Sequence, residues 1–173
     1  MIHMIQNAKD QAARLTLAAY AAAAAAGELP QAEITTVPVE IPKDTANGDF
    51  TSTFAMACAR QLKLPPRKIA EALLARLDLD GSYFTSAEIA GPGFLNFRLG
   101  KTWYHDVLSA VETEGENYGS ADVLRGERIM VEFVSANPTG PMHMGNARGG
   151  VLGDTLASVL SFCGADVSRE FYV

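Results

Sequence analysis

The residues best placed to do chemistry lie in a short segment between a predicted strand and a predicted helix. Glu132 stands near the end of the apolar run 129–134, and His143 and Asn146 stand where the following helix pattern begins. A helix N-terminus offers free N–H groups and a partial positive charge, which favour phosphate. A histidine and an amide one turn apart would both face such an anion. The spacing therefore indicates charge stabilisation during attack on a phosphoryl group.

Glu132 has two interpretations that the residues alone leave open. A carboxylate in a buried strand costs free energy unless it is paired, so Glu132 is either a capped or salt-bridged structural acid or a cation receptor. The second interpretation suits the carboxyl end of a sheet, where α/β folds bind ligands. Two prolines stiffen the loop 135–141, while Gly140 lets the backbone turn and Gly145 lets a ligand ring approach the main chain. The segment contains neither GxGxxG nor a P-loop lysine, which argues against dinucleotide and kinase-type sites.

The elements around this loop predict the start of a parallel α/β sheet. The nearly continuous apolar run 129–134 is typical of a strand buried on both faces. A helix is predicted from His143 or Gly145 to Phe162, and the segment 167–173 begins the next strand. Together these form the first β-α-β unit of a Rossmann-like α/β domain. The residues expected to face inward from the helix are Val151, Leu152, Leu156, Val159 and Leu160.

The preceding residues predict a small α+β domain, an antiparallel sheet with helices. Thr51 or Ser52 is expected to cap the helix that follows the loop 43–49, and a Gly-Pro-Gly turn joins two strands of a hairpin. The polar connection 115–125 marks the boundary, so the predicted domains are 1–120 and 121–173. The predicted elements are a strand at 31–42, helices at 50–62, 66–77 and 103–114, and strands at 84–90 and 94–99.

The alanine-rich N-terminus has two interpretations of its own. The apolar segment 15–26 follows basic residues, an order that imitates a secretory signal. It is shorter than the ~20 apolar residues of a membrane span. Alanine is the strongest helix former, and Gly27 and Pro30 supply a stop, which predicts a helix at 2–26.

Composition argues against several classes of protein. With 173 residues, 48% of them hydrophobic, the chain can bury a core, which excludes intrinsic disorder as its main state. Cys58 and Cys163 form no CxxC motif, which argues against a disulfide scaffold or a zinc site and favours a reducing, cytoplasmic location. The net charge of −6 argues against a general nucleic-acid coat protein. The segment 60–76 nevertheless holds five basic residues and one acid, as a solvated helix face or a local phosphate-facing patch.

Motifs along the whole chain resemble one family. The segment SANPTGPMHMGNARGG, with VEF before it and SREFYV after it, resembles the class I signature region of arginyl-tRNA synthetases. Upstream, NGDFTSTFAMACARQL, AGPGFLNFRL and EGENYG resemble the N-terminal additional domain of that family, in order and at fitting spacing. The Ala-Asn-Pro-Thr-Gly-Pro prefix makes the signature specific to the arginine enzyme. The resemblance favours a helix over a signal at the N-terminus.

The resemblance implies an arginine–tRNA ligase. Such an enzyme activates L-arginine with ATP and Mg²⁺ to arginyl-adenylate and transfers the arginine to the 3′ end of tRNA(Arg). By this resemblance His143 and Asn146 are catalytic and bind ATP together with Gly145, while Glu132, Ser135 and Asn137 bind arginine. Glu132 would take the guanidinium, for which a bidentate match is available. The signature region comprises Ala136, Asn137, Pro138, Thr139, Gly140, Pro141, Met142, His143, Met144, Gly145 and Asn146.

Two features of the resemblance qualify these roles. Asn146 stands where the family signature has a second histidine, and an amide donates a hydrogen bond but carries no charge. In the additional domain, which reads the tRNA D-loop, Phe94 would stack on a base and Asn96 would bond its edge. The alternative for Phe94 is a place in the core of the sheet.

The resemblance also sets expectations for the whole protein. Enzymes of that family also have further β-α units, a lysine-bearing loop and a helical anticodon domain. These parts have no counterpart in the 173 residues. The chain is therefore expected to be an N-terminal fragment that is inactive alone, without a resident metal site, and able to self-associate through an exposed sheet edge. The full-length enzyme is expected to be a cytoplasmic monomer that does not bind membranes. A free-standing RNA-binding module and another class I-like nucleotidyl transferase remain alternatives.

Overall fold

The computed structural model describes residues 2–137 and 139–172. They belong to two compact units, Met1–Glu114 and Gly115–Val173. Pro138, a predicted member of the signature region, lies outside the described residues. The assignment of 1–120 to an additional domain and of 121–173 to a catalytic domain stays a prediction.

The first unit combines a four-stranded antiparallel sheet with four helices. The strand order is β1-β2-β4-β3, and the hairpin of β3 and β4 was predicted with the observed bounds. The elements are α1 (Ile2–Ala25), β1 (Val39–Glu40), a 3₁₀ helix (Thr45–Asn47), β2 (Phe50–Ser52), α2 (Phe54–Leu62), α3 (Pro66–Arg76), β3 (Phe84–Ala90), β4 (Phe94–Leu99) and α4 (Lys101–Glu114).

The alanine-rich helix α1 is a structural part of this unit. Ala8 and Ala12 are fully buried in a cluster with Phe50 and Phe97, which lie on the inner face of the sheet. About two turns further along the helix, Tyr20 packs against Phe54 of α2 in a second cluster. Small side chains let the helix approach the sheet closely, because no Cγ atoms hold the two surfaces apart. The predicted helix is therefore confirmed over Ile2–Ala25.

Two predictions in this unit were wrong in their bounds by more than two residues. The strand expected at 31–42 is reduced to Val39–Glu40, which lies between Pro38 and Pro42, residues unable to donate to a ladder. The helix expected to begin at Phe50 is preceded by strand β2, which pairs Phe50 with Phe97. Thr51 and Ser52 therefore lie in a strand rather than at the cap, which is Thr53. The Ser52 hydroxyl still accepts the N–H of Phe54, at 3.3 Å.

The second unit contains a parallel strand pair connected by a helix. The unit begins with a 3₁₀ helix at Gly115–Asn117. Strands β5 (Arg128–Glu132) and β6 (Asp166–Glu170) pair in parallel, and helix α5 (Met144–Phe162) connects them. Gly153 of α5 is buried against the chain that leaves β5, because a Cβ there would lie 2.3 Å from Cγ of Phe133. The β-α-β connection was predicted, and its Rossmann-like character stays a prediction.

The predicted burial of this unit was wrong. Strand β5 is not buried on both faces, since Met130 is 59% exposed. The helix residues expected to face inward are largely exposed: Val151, Leu152, Leu156 and Val159. Leu160 is half-buried. The residues of α5 that are buried are Gly153 and Ala157. One helix against two strands covers a narrow strip of surface, which explains why a longer apolar stripe stays in contact with solvent.

Candidate functional site

Helix α5 begins with a reciprocal cap formed by two predicted site residues. Nδ1 of His143 accepts the N–H of Gly145 at 3.1 Å, and Oδ1 of Asn146 accepts the N–H of His143 at 3.1 Å. Such a capping box satisfies N–H groups that the helix itself leaves unpaired. An accepting Nδ1 places the proton of a neutral imidazole on Nε2. The remaining side-chain donors at this helix end are therefore Nε2–H of His143 and Nδ2 of Asn146.

Gly145 lies directly against the ring of His143. A Cβ at position 145 would lie 2.9 Å from Cε1 and 3.0 Å from Nδ1 of that ring. A larger side chain there would require the imidazole to shift from its capping position. From the sequence, Gly145 was expected to leave room for a ligand ring. The contact between Gly145 and the ring of His143 was not predicted.

Glu132 and Ser135 are brought together where β5 ends. The Ser135 hydroxyl donates to Oε1 of Glu132 at 2.6 Å and accepts the N–H of Tyr172 at 3.1 Å. Glu132 is exposed rather than buried, so the burial cost assumed from the sequence does not arise. The serine orients the carboxylate and leaves acceptor positions on its oxygens for a cation.

A cleft of about 550 Å³ gathers the loop after β5 and the start of α5. Four of the residues predicted to bind ATP or arginine line it, namely Ser135, Asn137, His143 and Asn146. Glu132 is joined to the cleft through Ser135, and Gly145 through His143. Val134, where the chain enters this loop, has φ of +62°. A β-branched residue rarely adopts this conformation, and no local sequence signal predicts it.

A second cleft of about 570 Å³ lies on the outer face of the antiparallel sheet. Asn96 is 2% exposed and lies in its floor opposite Thr51, which sequence reasoning placed at a helix cap. Phe94 is half-buried and lines the cleft, and it is not among the residues of the two core clusters. Its contact with a base stays a prediction. The full lining is Glu40, Ile41, Pro42, Lys43, Asn47, Thr51, Ala90, Gly91, Phe94 and Asn96.

Two of the basic side chains in the segment 60–76 are engaged within the unit. Arg67 donates to Glu71 at 3.2 Å and to the carbonyl of Gly91 at 3.1 Å, which ties α3 to the turn beside the second cleft. Nε of Arg76 donates to Oε2 of Glu28 at 3.2 Å, and this hydrogen bond lowers the pKa of the Glu28 carboxyl. These two residues match the interpretation as a solvated, paired helix face.

Neither a metal centre nor a membrane span is found in the described part of the chain. Residues 2–137 and 139–172 contain no group of three or more His, Cys, Asp and Glu side chains arranged to hold a metal ion. Over the same residues, every helix is too short or too polar to cross a bilayer.

Comparison with known proteins decides the family. A sequence profile described as the arginyl tRNA synthetase N terminal domain matches residues 12–99, about half of the chain. The chain belongs to the arginyl-tRNA synthetase family. The resemblance seen in the motifs is thereby confirmed.

Relatives extend the match beyond the additional domain of arginyl-tRNA synthetases. An arginine–tRNA ligase of Acetivibrio thermocellus is 47% identical over 173 residues, which cover 100% of this chain and 31% of the relative. One of Ruegeria sp. is 49% identical over 160 residues, which cover 92% of this chain and 27% of the relative. The chain therefore spans about a third of the length of the curated relatives it matches.

A solved structure shows the shared fold. The crystal structure of arginyl-tRNA synthetase from Plasmodium falciparum matches with a TM-score of 0.57 at 15% sequence identity. The match covers 94% of this chain and 30% of that chain. The small antiparallel sheet with its helices thus agrees with the fold predicted for the first part of the chain.

Proposed function

We propose that this chain is part of an arginine–tRNA ligase that activates L-arginine with ATP and then charges tRNA(Arg). The observation that carries the proposal is the cleft in which Ser135, Asn137, His143 and Asn146 meet at the N-terminus of α5. In the first step, a carboxylate oxygen of arginine bonds to the α-phosphorus and pyrophosphate leaves. In the second, a ribose hydroxyl of the tRNA bonds to the arginyl carbonyl and AMP leaves.

His143 and Asn146 would hold the phosphates of ATP. The cap leaves Nε2–H of His143 as a donor, and the dipole of α5 adds positive potential at the same end of the helix. Both groups would stabilise the charge that develops on the phosphoryl oxygens. Gly145 would lie beneath the adenine ring. Mg²⁺ would arrive with ATP as its substrate complex and neutralise phosphate charge.

Glu132, Ser135 and Asn137 would hold arginine. A carboxylate offers a guanidinium two parallel hydrogen bonds, and the bond from Ser135 fixes the orientation of Glu132 for this contact. Asn137 would hold the α-amino end of the substrate from the same cleft.

The second cleft would take an unpaired base of the tRNA D-loop. Its polar floor at Asn96 and the ring of Phe94 provide an amide for a base edge and a surface for stacking. An acidic chain can bind RNA in this way, because the contact depends on a local site rather than on net charge.

The direct test of this function is charging by the purified full-length protein. We expect ATP-dependent attachment of arginine, and not of lysine, to tRNA(Arg), together with arginine-dependent pyrophosphate exchange when the tRNA is present. We expect no arginyl-adenylate from the 173-residue polypeptide alone. Failure of the full-length protein to charge tRNA(Arg) would leave an RNA-binding module as the better interpretation.

The tRNA contact is tested by Asn96→Ala in the full-length protein. Because the amide would bind only tRNA, we expect the KM for tRNA to rise several-fold, while the KM values for arginine and ATP stay unchanged. Steady-state charging kinetics provide the measurement. An unchanged KM for tRNA would contradict the contact.

A further inference from the structure

The turn between β3 and β4 lies directly against the start of α3. A Cβ at Gly93 would lie 2.9 Å from both the carbonyl carbon and the carbonyl oxygen of Pro66, the first residue of α3. Backbone therefore contacts backbone at this point, and a side chain at position 93 would force the two segments apart. Helix α3 is itself held in the core, since Ile69 and Leu73 are fully buried. The turn thus rests on a fixed part of the unit.

One side chain adds a polar contact between the same two segments. Arg67 of α3 donates through Nη1 to the carbonyl oxygen of Gly91 at 3.1 Å, and its Nε donates to Glu71 at 3.2 Å. In the part of the chain that the structure describes, no other hydrogen bond joins the turn to α3. The planar guanidinium can hold both acceptors at once. Arg67 therefore connects the exposed tip of the turn to a buried helix.

The residue that accepts this hydrogen bond lies beside the ring of Phe94. A Cβ at Gly91 would be 3.7 Å from Cδ2 of Phe94, which is ordinary van der Waals contact. Gly91 and Phe94 both line the second cleft, and Phe94 pairs with Ala90 across the hairpin. Movement of the turn would therefore move the ring that lines the cleft. A ring that is already held in place loses less conformational entropy when a base stacks on it.

We propose that Arg67 is a positioning residue for the tRNA contact, because it fixes Gly91 and, through the turn, the ring of Phe94. The inference rests on the proposed function and adds to it a residue that acts without touching the RNA. The alternative for an exposed arginine near an RNA site is a direct contact with a phosphate. The two roles differ in their dependence on salt, since a phosphate contact releases counterions and a positioning contact within the protein does not.

Arg67→Met in the full-length protein tests the proposal, because methionine suits a helix and keeps an unbranched stem but donates no hydrogen bond. We expect the KM for tRNA to rise about two- to fivefold, a modest change because the hydrogen bond is exposed and Gly93 still rests on α3. We expect kcat at saturating tRNA and the KM values for arginine and ATP to stay unchanged. Arg67→Lys keeps a donor for Gly91 and is expected to recover part of the loss.

Salt dependence separates positioning from a phosphate contact. The dissociation constant of tRNA, measured over a range of salt concentrations, is expected to have the same logarithmic slope in Arg67→Met as in the unaltered protein. A slope smaller by about 0.7–0.9, the value for one lost phosphate contact, would overturn the positioning role.

A double-mutant cycle shows whether Arg67 acts through Phe94. Phe94→Ala is expected to raise the KM for tRNA about tenfold or more, because stacking on the ring is lost. If Arg67 only positions that ring, adding Arg67→Met to Phe94→Ala raises the KM no further. Effects of the two substitutions that multiply independently would overturn the proposal.

Matched variants separate the failure of this inference from the failure of the proposed function. Glu71→Gln removes the ion pair and leaves Arg67 able to donate to Gly91, so the KM for tRNA is expected to stay unchanged. A rise equal to that in Arg67→Met would overturn the role of the turn contact. If Phe94→Ala raises this KM and Arg67→Met does not, the role of Arg67 is overturned while the tRNA contact stands. If Phe94→Ala leaves the KM unchanged, the stacking contact fails and the role of Arg67 fails with it.

Discussion

At the start of α5, the imidazole of His143 caps the helix, because its Nδ1 accepts the N–H of Gly145. Under the proposed function, Nε2–H of the same ring would bind a phosphate. Asn146, which stands where the signature that the chain resembles has a second histidine, accepts the N–H of His143 through Oδ1. The amide thus fixes the backbone of His143 without carrying a charge.

His143→Ala in the full-length protein is expected to slow arginine-dependent pyrophosphate exchange by about 10²–10³-fold, from the loss of a donor to the phosphoryl oxygens. The cap is lost as well, at a cost of about 1 kcal/mol. His143→Asn is the matched control, because asparagine caps helices well yet presents no Nε2–H. This variant is expected to keep the stability of α5 and to show the same slow pyrophosphate exchange as His143→Ala. A wild-type exchange rate in His143→Ala would contradict the catalytic role.

At the scale of elements, the contact between α5 and the chain after β5 depends on glycine. Gly153 is buried against Phe133, where any Cβ would overlap the ring, whereas Gly149 of the same helix has open space at its Cβ position. The signature loop is anchored between these two elements. The packing of one glycine therefore helps to place the residues that line the first cleft.

Gly153→Ala is expected to destabilise the second unit by about 1–3 kcal/mol through overpacking. Gly149→Ala, its control, is expected to stabilise α5 by about 0.4–1 kcal/mol, because alanine restricts the unfolded chain at no steric cost. Hydrogen exchange of the α5 amides measures both changes locally. Equal protection in the two variants would show that the contact with Phe133 does not limit the packing of the helix.

At the scale of the whole molecule, helix α5 presents one stripe of exposed apolar side chains. Val151 and Leu152 are 70% and 72% exposed, and Leu156 and Val159 continue the same stripe. Soluble monomers rarely expose a contiguous apolar patch of this kind. Such a stripe is typical of a surface that packs against another protein surface.

The 173-residue polypeptide is accordingly expected to self-associate at micromolar concentrations, as measured by light scattering during size-exclusion chromatography. Leu152→Glu combined with Val159→Glu is expected to shift it towards monomer, because charges on the stripe oppose burial. Val123→Glu, which alters a similarly exposed aliphatic side chain in the turn before β5, serves as the control and is expected to change nothing. A wild-type polypeptide that stays monomeric over this range would contradict the prediction.

Local signals in the sequence were sufficient to predict several elements and to predict that the residues of the first cleft lie close together. Helix α1, the start of α3 at Pro66 and the hairpin of β3 and β4 follow from alanine content, a proline at the first helical turn and a Gly-Pro-Gly turn. These signals act over a few residues, so they need no partner elsewhere. The meeting of Ser135, Asn137, His143 and Asn146 was predictable for the same reason, because one strand end, one loop and one helix start are contiguous in the chain.

Only the tertiary structure decided the features that depend on distant partners. Strand β2 exists because Phe50 pairs with Phe97, and that pairing turns Thr51 from an expected helix cap into the floor of a cleft beside Asn96. The exposure of Glu132 likewise depends on how much of β5 the neighbouring elements cover. Periodicity in a sequence states which residues share a face. Which face is buried, and against what, is settled by contacts between residues far apart in the chain.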